Sequence, residues 1–243
     1  MLTIICPYRG RDKFFQDFIH SYSNLYPDAD IYMMEQVDNE PFKRGQLANV
    51  AFNEMCKRGR RVDAILFADV DLRLFGRLDL EGMLKRNRTI TVPFDSIELR
   101  DFAGVGNYKL CPKKSYFLKG HKVSGGLTLY SREMFEKCCG FSNVYIGWGC
   151  EDSDFLLRTD SFVHECNTIF HLEHVREGRN HSYINRNAAI LENGRTDFRV
   201  DGYEQTIVRR IEEIQLSTHV YHYRVDGITV PSDFQYMSLL KEA

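Results

Sequence analysis

The sequence lacks the features that mark membrane proteins and polyanion-binding proteins. In 243 residues, no apolar run approaches the roughly 20 residues that a membrane-spanning helix needs, and residues 1–8 have the pattern of a strand, not of a signal peptide. The 32 Lys and Arg residues are balanced by 34 Asp and Glu residues, so no positive field would draw nucleic acid or an anionic membrane to the chain. These absences predict a cytoplasmic protein with no transmembrane segment and no nucleic-acid partner.

Disulfide bonds are not indicated either. The seven cysteines are odd in number and contain no C-x-x-C pair. Reduced thiols are therefore the simpler interpretation. Cys150 stands out among them because it directly precedes the acidic residues Glu151 and Asp152.

What the sequence does contain is the pattern of an α/β protein. Apolar residues make up 43% of the chain, enough for a substantial core. Short apolar runs alternate with amphipathic stretches, which is typical of a mostly parallel central sheet flanked by helices. We find no internal repeat, low-complexity segment or linker, so we predict one domain over residues 1–243.

The periodicity also predicts individual elements. The predicted strands are residues 2–6, 31–34, 64–68, 89–92, 127–130, 168–172 and 219–223. The predicted helices are residues 12–26, 45–56 and 203–215, with further helices starting after Ser131 and near Glu151. Asp12 and Ser131 are suitable N-cap residues. Residues 95–122 show no clear period and are expected to form a long loop.

The D-V-D motif at residues 69–71 follows the buried run at 64–68, where a parallel strand would end. In open α/β sheets, ligands bind at the carboxyl ends of the strands. Two carboxylates there suit a divalent cation that carries a diphosphate, because hard cations take oxygen ligands and share them with phosphates. The simpler alternative is a solvated turn, and the motif alone does not separate the two.

Residues 147–154, G-W-G-C-E-D-S-D, place the one tryptophan of the chain between glycines and before a cluster of acids. Trp148 offers a flat face for a sugar ring. The acids predict a helix start, whose dipole would keep Glu151 and Asp152 ionised, as a general base requires. Helix capping explains the same acids without catalysis, and Asp154 fits an ordinary i,i+4 ion pair.

Histidines and basic residues add further candidates. His171 and His174 lie three residues apart after a predicted strand, where they are either structural or metal ligands. Carboxylate and imidazole ligands together would favour Mn²⁺, with Mg²⁺ as the alternative ion. Four basic residues follow strand ends and would contact a phosphate or base, or else remain surface charges. These are Arg9, Arg11, Lys43 and Arg44.

Taken in order and spacing, six segments resemble the β-1,4-galactosyltransferase family. They are P-Y-R-G-R at 7–11, F-K-R-G at 42–45, D-V-D at 69–71, G-G at 125–126, G-W-G-C-E-D at 147–152 and H-L-E-H at 171–174. The resemblance implies an inverting glycosyltransferase with a GT-A type fold, a UDP-sugar donor and Mn²⁺ dependence. Within the single domain it implies a nucleotide-binding half (1–94), an acceptor and metal half (95–185) and a C-terminal extension (186–243).

The resemblance also implies a role for each matching residue. Asp71 would ligate the metal ion, and Asp69 would contact the ribose or the sugar of the donor. Asp152 would deprotonate the acceptor hydroxyl, while Glu151 holds the acceptor and Trp148 packs on the sugars. The donor pocket would be completed by Arg9, Arg11, Phe42, Arg44, Val70 and Gly126.

Several positions bear on substrate and metal. His174 matches the family's metal-binding histidine, whereas His171 stands where vertebrate members have a methionine ligand, so the metal preference is affected. Ile146 stands where those members have a second tryptophan. Val123 lies near the position of a bulky aromatic residue, and its smaller size leads us to expect that UDP-GalNAc is used as well as UDP-galactose.

These features predict transfer of galactose or GalNAc from a UDP-sugar to an oligosaccharide or lipid-linked glycan in polysaccharide biosynthesis. Because the chain shows no membrane anchor, we expect a microbial, cytoplasmic enzyme associated with the inner face of the membrane. Two alternatives stay open: a catalytically inert nucleotide-sugar binding protein and a metal-dependent hydrolase of nucleotide-diphosphate sugars. The Glu151-Asp152 pair favours turnover over the first, and the Gly-Trp-Gly approach favours two bound sugars over the second.

Overall fold

The computed structural model of the chain describes residues 1–74, 76–85, 88–91, 117–118, 121–122, 126–147, 149–159, 162–165, 169–171, 181–193 and 201–229. The strands within them are β1 (Leu2–Tyr8), β2 (Asp30–Gln36), β3 (Ala64–Ala68), β4 (Leu72–Leu74), β5 (Arg88–Thr91), β6 (Phe117–Leu118), β7 (His121–Lys122), β8 (Leu127–Ser131), β9 (Phe162–Glu165), β10 (Ile169–His171), β11 (Ile207–Gln215) and β12 (Val220–Thr229). The α-helices are α1 (Phe15–Leu25), α2 (Arg44–Lys57), α3 (Leu80–Lys85), α4 (Arg132–Lys137), α5 (Glu151–Thr159) and α6 (His181–Asn193). In this part of the chain, no helix has both the length and the apolar character needed to cross a bilayer.

A six-stranded sheet in the order β11-β12-β2-β1-β3-β8 forms the centre of the fold. The four inner strands run parallel, and the two outer strands pair antiparallel to their neighbours. The predicted α/β class with a mostly parallel central sheet is therefore confirmed.

Helices cover both faces of this sheet because its inner strands are apolar on both sides. Successive side chains of a strand point to opposite faces, so Ile4 and Ile5 of β1 enter different core clusters. Ile4 packs in the cluster that contains Phe18 of α1, and Ile5 packs in the cluster that contains Leu47 of α2. This arrangement leaves the carboxyl ends of the parallel strands open to build a site.

The predicted helix at residues 203–215 is wrong. Only Tyr203–Gln205 forms a turn of 3₁₀ helix, and Ile207–Gln215 is strand β11, paired antiparallel with β12. Isoleucines repeat there at three- and four-residue spacing, which mimics a helical stripe, yet Ile207 and Ile214 are exposed. Because β-branched residues suit an extended backbone, the hairpin with β12 decides the structure.

The two predicted helix caps have different outcomes. The Ser131 hydroxyl accepts a hydrogen bond from the Met134 N–H at 3.0 Å, as predicted for the start of α4. Asp12 does not cap α1, because the chain enters that helix through a 3₁₀ turn at Asp12–Phe14.

The stretch 95–122, predicted as a loop, is described only at β6 and β7, which pair antiparallel. The remainder of this stretch lies outside the described residues.

The segment expected as a C-terminal extension supplies two strands, β11 and β12, to the central sheet. β12 lies parallel to β2 between that strand and β11. Tyr221, Tyr223 and Val225 of β12 are buried in the core. Residues 220–229 are thus as much part of the fold as the first two strands.

Candidate active site

The basic and acidic residues that the sequence singled out gather at one edge of the sheet. Arg9 and Arg11 follow β1, residues 37–43 follow β2, and the D-V-D motif follows β3. Because these strands are parallel, their carboxyl ends lie on the same side of the sheet. Segments that are distant in sequence therefore meet at that edge.

The D-V-D motif forms a tight turn between β3 and β4. The Asp69 N–H donates to the Gly126 carbonyl at 2.7 Å, and the Leu72 N–H donates to the Asp69 carbonyl at 3.0 Å. Gly126 has a φ of +78°, and a Cβ there would lie 2.8 Å from the Leu72 side chain, so the turn requires glycine beside it. The buried Arg73 donates to the carbonyls of Val70 and Leu72 at 2.8 and 2.7 Å. The backbone that carries both carboxylates is thus held from two sides.

Asp71, the second acid of the motif, pairs with Arg11. Arg11 Nη1 lies 2.5 Å from Asp71 Oδ2. The Asp71 side chain is 1% exposed, whereas the Arg11 side chain is 35% exposed. A buried carboxylate needs a compensating charge, and Arg11 supplies it. The structure therefore places a predicted donor residue directly beside the predicted metal ligand.

Arg44, the first residue of α2, links the two acidic motifs. Its Nε donates to Asp69 Oδ1 at 2.7 Å, and its Nη1 lies 3.5 Å from Glu151 Oε1. Burial opposes the charge of this guanidinium, but the negative charges of Asp69, Glu151 and Asp152 outweigh burial and raise the pKa of Arg44. One arginine thus holds together a carboxylate that follows β3 and one at the start of α5.

Glu151 and Asp152 open α5, as predicted, but their environments differ. Glu151 is buried, and this burial, followed by the charge of Asp152, raises the pKa of Glu151 to about 7 against the lowering effect of Arg44. Burial therefore opposes the expected ionisation of Glu151, and its carboxyl takes up a proton more readily than that of an exposed glutamate. Asp152 is half-buried, and its Oδ1 accepts a hydrogen bond from the Ser153 N–H at 2.8 Å. Asp152 keeps the more accessible carboxylate of the two.

Asp154 belongs to the framework of α5. Its Oδ2 lies 2.7 Å from Arg158 Nε, which is the predicted i,i+4 pair. Arg158 also lies 3.0 Å from the buried carboxylate of Asp201. These buried partners hold α5 against Asp201, so Asp154 stabilises the helix that carries Glu151 and Asp152.

The segment after β2 is fixed by a network around Gln36 and Asp38. Gln36 Oε1 accepts the Lys43 N–H at 2.8 Å, and Gln36 Nε2 donates to Asp38 Oδ1 at 2.7 Å. Asp38 Oδ2 accepts the Gly227 N–H of β12 at 2.8 Å. Lys43, a candidate phosphate ligand in the sequence, instead donates to the Ile228 carbonyl at 2.7 Å. Strand β12 thus supports the loop that carries Phe42 and Arg44.

The loop before α5 is tied to the same region. Gln46 Nε2 of α2 donates to the carbonyls of Asn143 and Tyr145 at 2.7 and 3.0 Å. The Gly147 N–H donates to the Phe42 carbonyl at 2.9 Å. The predicted donor residue Phe42 and the first glycine of the G-W-G motif are therefore linked through the backbone.

Polar residues that sequence reasoning missed shape this site. Gln46 and Asn49 are buried on α2, and Asn187 is buried on α6. Each donates to backbone carbonyls of the loop at residues 141–149. The available signal was a polar residue within an apolar helical stretch, which marks a buried hydrogen bond as readily as an exposed face.

The predicted metal ligands are described only in part. The backbone of His171 lies in β10, paired with Leu72 of β4, so the register places it next to the residue that follows Asp71. His174, Trp148 and Val123 lie outside the described residues. Across the described ranges, no three side chains of His, Cys, Asp or Glu converge as a metal site.

The described cysteines are free thiols, as predicted. Cys150 adopts a φ of +77° just before α5. Burial, followed by the neighbouring carboxylates, raises the pKa of Cys150 to about 12, so the thiol stays neutral near pH 7. Cys111 and Cys166 lie outside the described residues.

Two family models match this chain. The model for the N-terminal region of glycosyl transferase group 7 matches residues 1–75, and the model for the N-terminal domain of galactosyltransferase matches residues 108–181. Together they match well over half of the sequence. The first spans the strand ends with Arg9, Arg44 and Asp71, and the second spans the acidic start of α5.

Curated relatives carry names from the same family. Beta-1,4-galactosyltransferase 4 of Rattus norvegicus is 31% identical over 168 residues, and xylosylprotein 4-beta-galactosyltransferase of Caenorhabditis elegans is 29% identical over 163 residues. Both alignments cover 65% of this chain, but only 42% and 49% of those proteins. The chain thus spans less than half the length of these relatives.

Solved structures show a similar fold. A mutant of Drosophila β1,4-galactosyltransferase 7 in complex with manganese, UDP-Gal and xylobiose has a TM-score of 0.61 and 20% identity, covering 98% of this chain and 97% of that one. At this identity the likeness concerns the fold, which is the GT-A type expected from the sequence. With both family models in the expected order and galactosyltransferases among its relatives, the chain belongs to the galactosyltransferase family of glycosyl transferase group 7.

Proposed function

We propose that this chain is a metal-dependent, inverting glycosyltransferase that moves galactose or GalNAc from a UDP-sugar to a glycan acceptor. The observation that carries the proposal is Arg44, which bonds Asp69 at 2.7 Å and lies 3.5 Å from Glu151. This side chain joins the donor-side acids to the acceptor-side acids in one site. The names of the relatives support galactose as the sugar, and the Drosophila complex supports UDP-Gal as the donor.

The donor would lie along the carboxyl ends of β1 and β3. A diphosphate needs positive partners, and Arg9 and Arg11 follow β1. Arg11 is exposed enough to contact a phosphate while it remains close to Asp71. Phe42 is half-buried and would offer an aromatic face to the uracil. Asp69 keeps a 30% exposed side chain that would reach the ribose or the sugar.

A divalent cation would bind beside Asp71. Asp71 offers a carboxylate, and the register of β10 and β4 brings His171 to the same turn. Carboxylate with imidazole favours Mn²⁺, with Mg²⁺ as the alternative ion, and Asp71, His171 and His174 would hold it. When bound, the ion would neutralise charge on the departing diphosphate. The manganese in the Drosophila complex supports this choice.

Asp152 would act as the general base. The acceptor oxygen attacks the anomeric carbon from the face opposite the diphosphate, while the bond from that carbon to the diphosphate oxygen breaks and its electron pair leaves with UDP. The hydroxyl proton passes to the carboxylate of Asp152. The single displacement inverts the anomeric centre. Glu151, whose pKa is raised to about 7, is better suited to hold the acceptor by hydrogen bonds in either protonation state.

The second donor sugar, the acceptor and the cellular location are proposed from the sequence. Val123 would leave space for the N-acetyl group of UDP-GalNAc. The acceptor would be an oligosaccharide or a lipid-linked glycan, and the enzyme would work in the cytoplasm at the inner face of the membrane. The relatives named above are animal proteins and do not support a microbial source, which stays a proposal from the sequence.

The test separates binding from turnover. Asp152→Asn should abolish sugar transfer while UDP binding with Mn²⁺ is kept, because the variant loses only the base. Asp71→Asn should weaken UDP binding in the presence of Mn²⁺. Asp12→Asn, which changes an exposed acid after β1, serves as the control and should leave both unchanged. Near-normal turnover by Asp152→Asn would remove that residue from the role, and release of UDP at full rate without acceptor would indicate a hydrolase.

A further inference from the structure

The buried side-chain amide of Asn187 on α6 forms hydrogen bonds with the backbone at both ends of the G-W-G motif. Asn187 is 0% exposed, and its Nδ2 donates to the Ile146 carbonyl at 3.0 Å and to the Gly149 carbonyl at 2.9 Å. These two carbonyls belong to residues on either side of Gly147 and Trp148 in the chain. Because a side-chain amide nitrogen carries two hydrogens, this one amide can donate to both carbonyls at once.

The oxygen of the same amide is also used, and this sets its orientation. Arg186 Nη1 donates to Asn187 Oδ1 at 3.0 Å and to the Val144 carbonyl at 3.0 Å. The amide oxygen therefore faces a guanidinium, and the amide nitrogen faces two carbonyls. Neither an aspartate nor a leucine of similar size can supply those two donated bonds.

A second contact from α6 closes the loop at Gly147. This glycine has a φ of +73°, and a Cβ there would lie 2.7 Å from Cγ of Tyr183. The Gly147 N–H is held by the Phe42 carbonyl at 2.9 Å. Tyr183 thus packs against this loop, the Phe42 carbonyl accepts a hydrogen bond from it, and Asn187 donates two hydrogen bonds to it.

We infer that Asn187 is a positioning residue that sets the geometry of the acceptor side of the active site. This inference rests on the proposed function, in which Trp148 packs on the sugars. A loop held in place before the acceptor arrives avoids the ordering cost of binding and keeps the reacting groups aligned. Asn187 lies beyond residue 181, where the matched family model ends, so the structure and not the sequence points to it.

The test compares Asn187→Asp with Asn53→Asp. Asn53 of α2 also donates its amide to a backbone carbonyl, that of Tyr203 at 2.9 Å, so its variant loses the same kind of bond at another place. Trp148 is the only tryptophan in the chain, so acrylamide quenching of fluorescence excited selectively at tryptophan reports on this loop. We expect Asn187→Asp to raise the quenching constant at least about twofold, since a loop without its bonds opens more often, whereas Asn53→Asp leaves it unchanged.

Kinetics provide the second readout. Loss of the two hydrogen bonds that Asn187 donates should raise the acceptor KM about tenfold and leave the donor KM within about twofold of the parent value, because only the acceptor-side loop is no longer held in place. Unchanged quenching in a folded Asn187→Asp protein, or equal losses on the donor and acceptor sides, would overturn the inference. If Asn187→Asp does not fold, Asn187→Ser keeps one donor and should show an intermediate rise in quenching; parental quenching there also overturns it. The quenching measurement needs no activity, so it decides the inference even where the parent protein proves to transfer no sugar.

Discussion

Replacing Glu151 by glutamine tests the electrostatics of the site most sharply. Glu151 is buried between Arg44 and Asp152, and burial raises its pKa from 4.5 to about 7. The folded protein therefore binds a proton at this residue between those pH values, whereas the unfolded chain has released it. Stability from this group is fully present below pH 4.5 and is lost as pH rises through about 7.

The size of this effect follows from the pKa difference. A rise from 4.5 to about 7 corresponds to a loss of stability on the order of 3 kcal/mol between low and neutral pH. Glutamine has the shape of the protonated acid and does not titrate. Glu151→Gln should therefore be more stable relative to the parent at pH 8 than at pH 4.5, by an amount of that order.

Urea unfolding at a series of pH values between 4.5 and 8 measures the difference directly. Glu136→Gln is the matched control, because Glu136 is a 40% exposed partner of Arg132 on α4, and its profile should run parallel to that of the parent. A Glu151→Gln profile that also runs parallel to the parent would refute the burial of a titrating acid at this position.

Two further predictions concern the turns that build the site. Gly147→Ala should lower the free energy of unfolding by more than Gly59→Ala does, because both glycines have a positive φ but only Gly147 lies against a side chain, that of Tyr183; equal losses in urea unfolding would contradict this contact. Arg73→Met leaves buried carbonyls next to the D-V-D turn without their donor and should cost about 1–3 kcal/mol in urea unfolding. The same variant should weaken UDP binding in the presence of Mn²⁺, and parental affinity in calorimetry would show that the turn holds without Arg73.

The sequence predicted the parts of the fold that depend on local pattern. Buried apolar runs became β1 and β3, the stripe that includes Phe18 became α1, and Ser131 became an N-cap. In each of these cases the local signal and the tertiary environment agree, because both strand faces and one helical face are buried.

The sequence could not predict features that depend on distant partners. Residues 207–215 have helical spacing of isoleucines, but pairing with β12 makes them a strand. The pKa of Glu151 depends on how deeply α5 packs against α2, which no local pattern reports. The link from Arg44 to both Asp69 and Glu151 likewise exists only once β3, α2 and α5 are assembled.

The most direct test of the proposed site is metal-dependent binding of nucleotide sugars. The melting temperature would be measured with UDP, UDP-galactose, UDP-GalNAc, UDP-GlcNAc, UDP-glucose and GDP-mannose, each with Mn²⁺ and with a chelator, since a ligand that binds only the folded state raises that temperature. We predict a rise in melting temperature that is confined to uridine nucleotides and lost with the chelator, and that both UDP-galactose and UDP-GalNAc produce. An absence of any rise, or an equal rise with GDP-mannose, would contradict it.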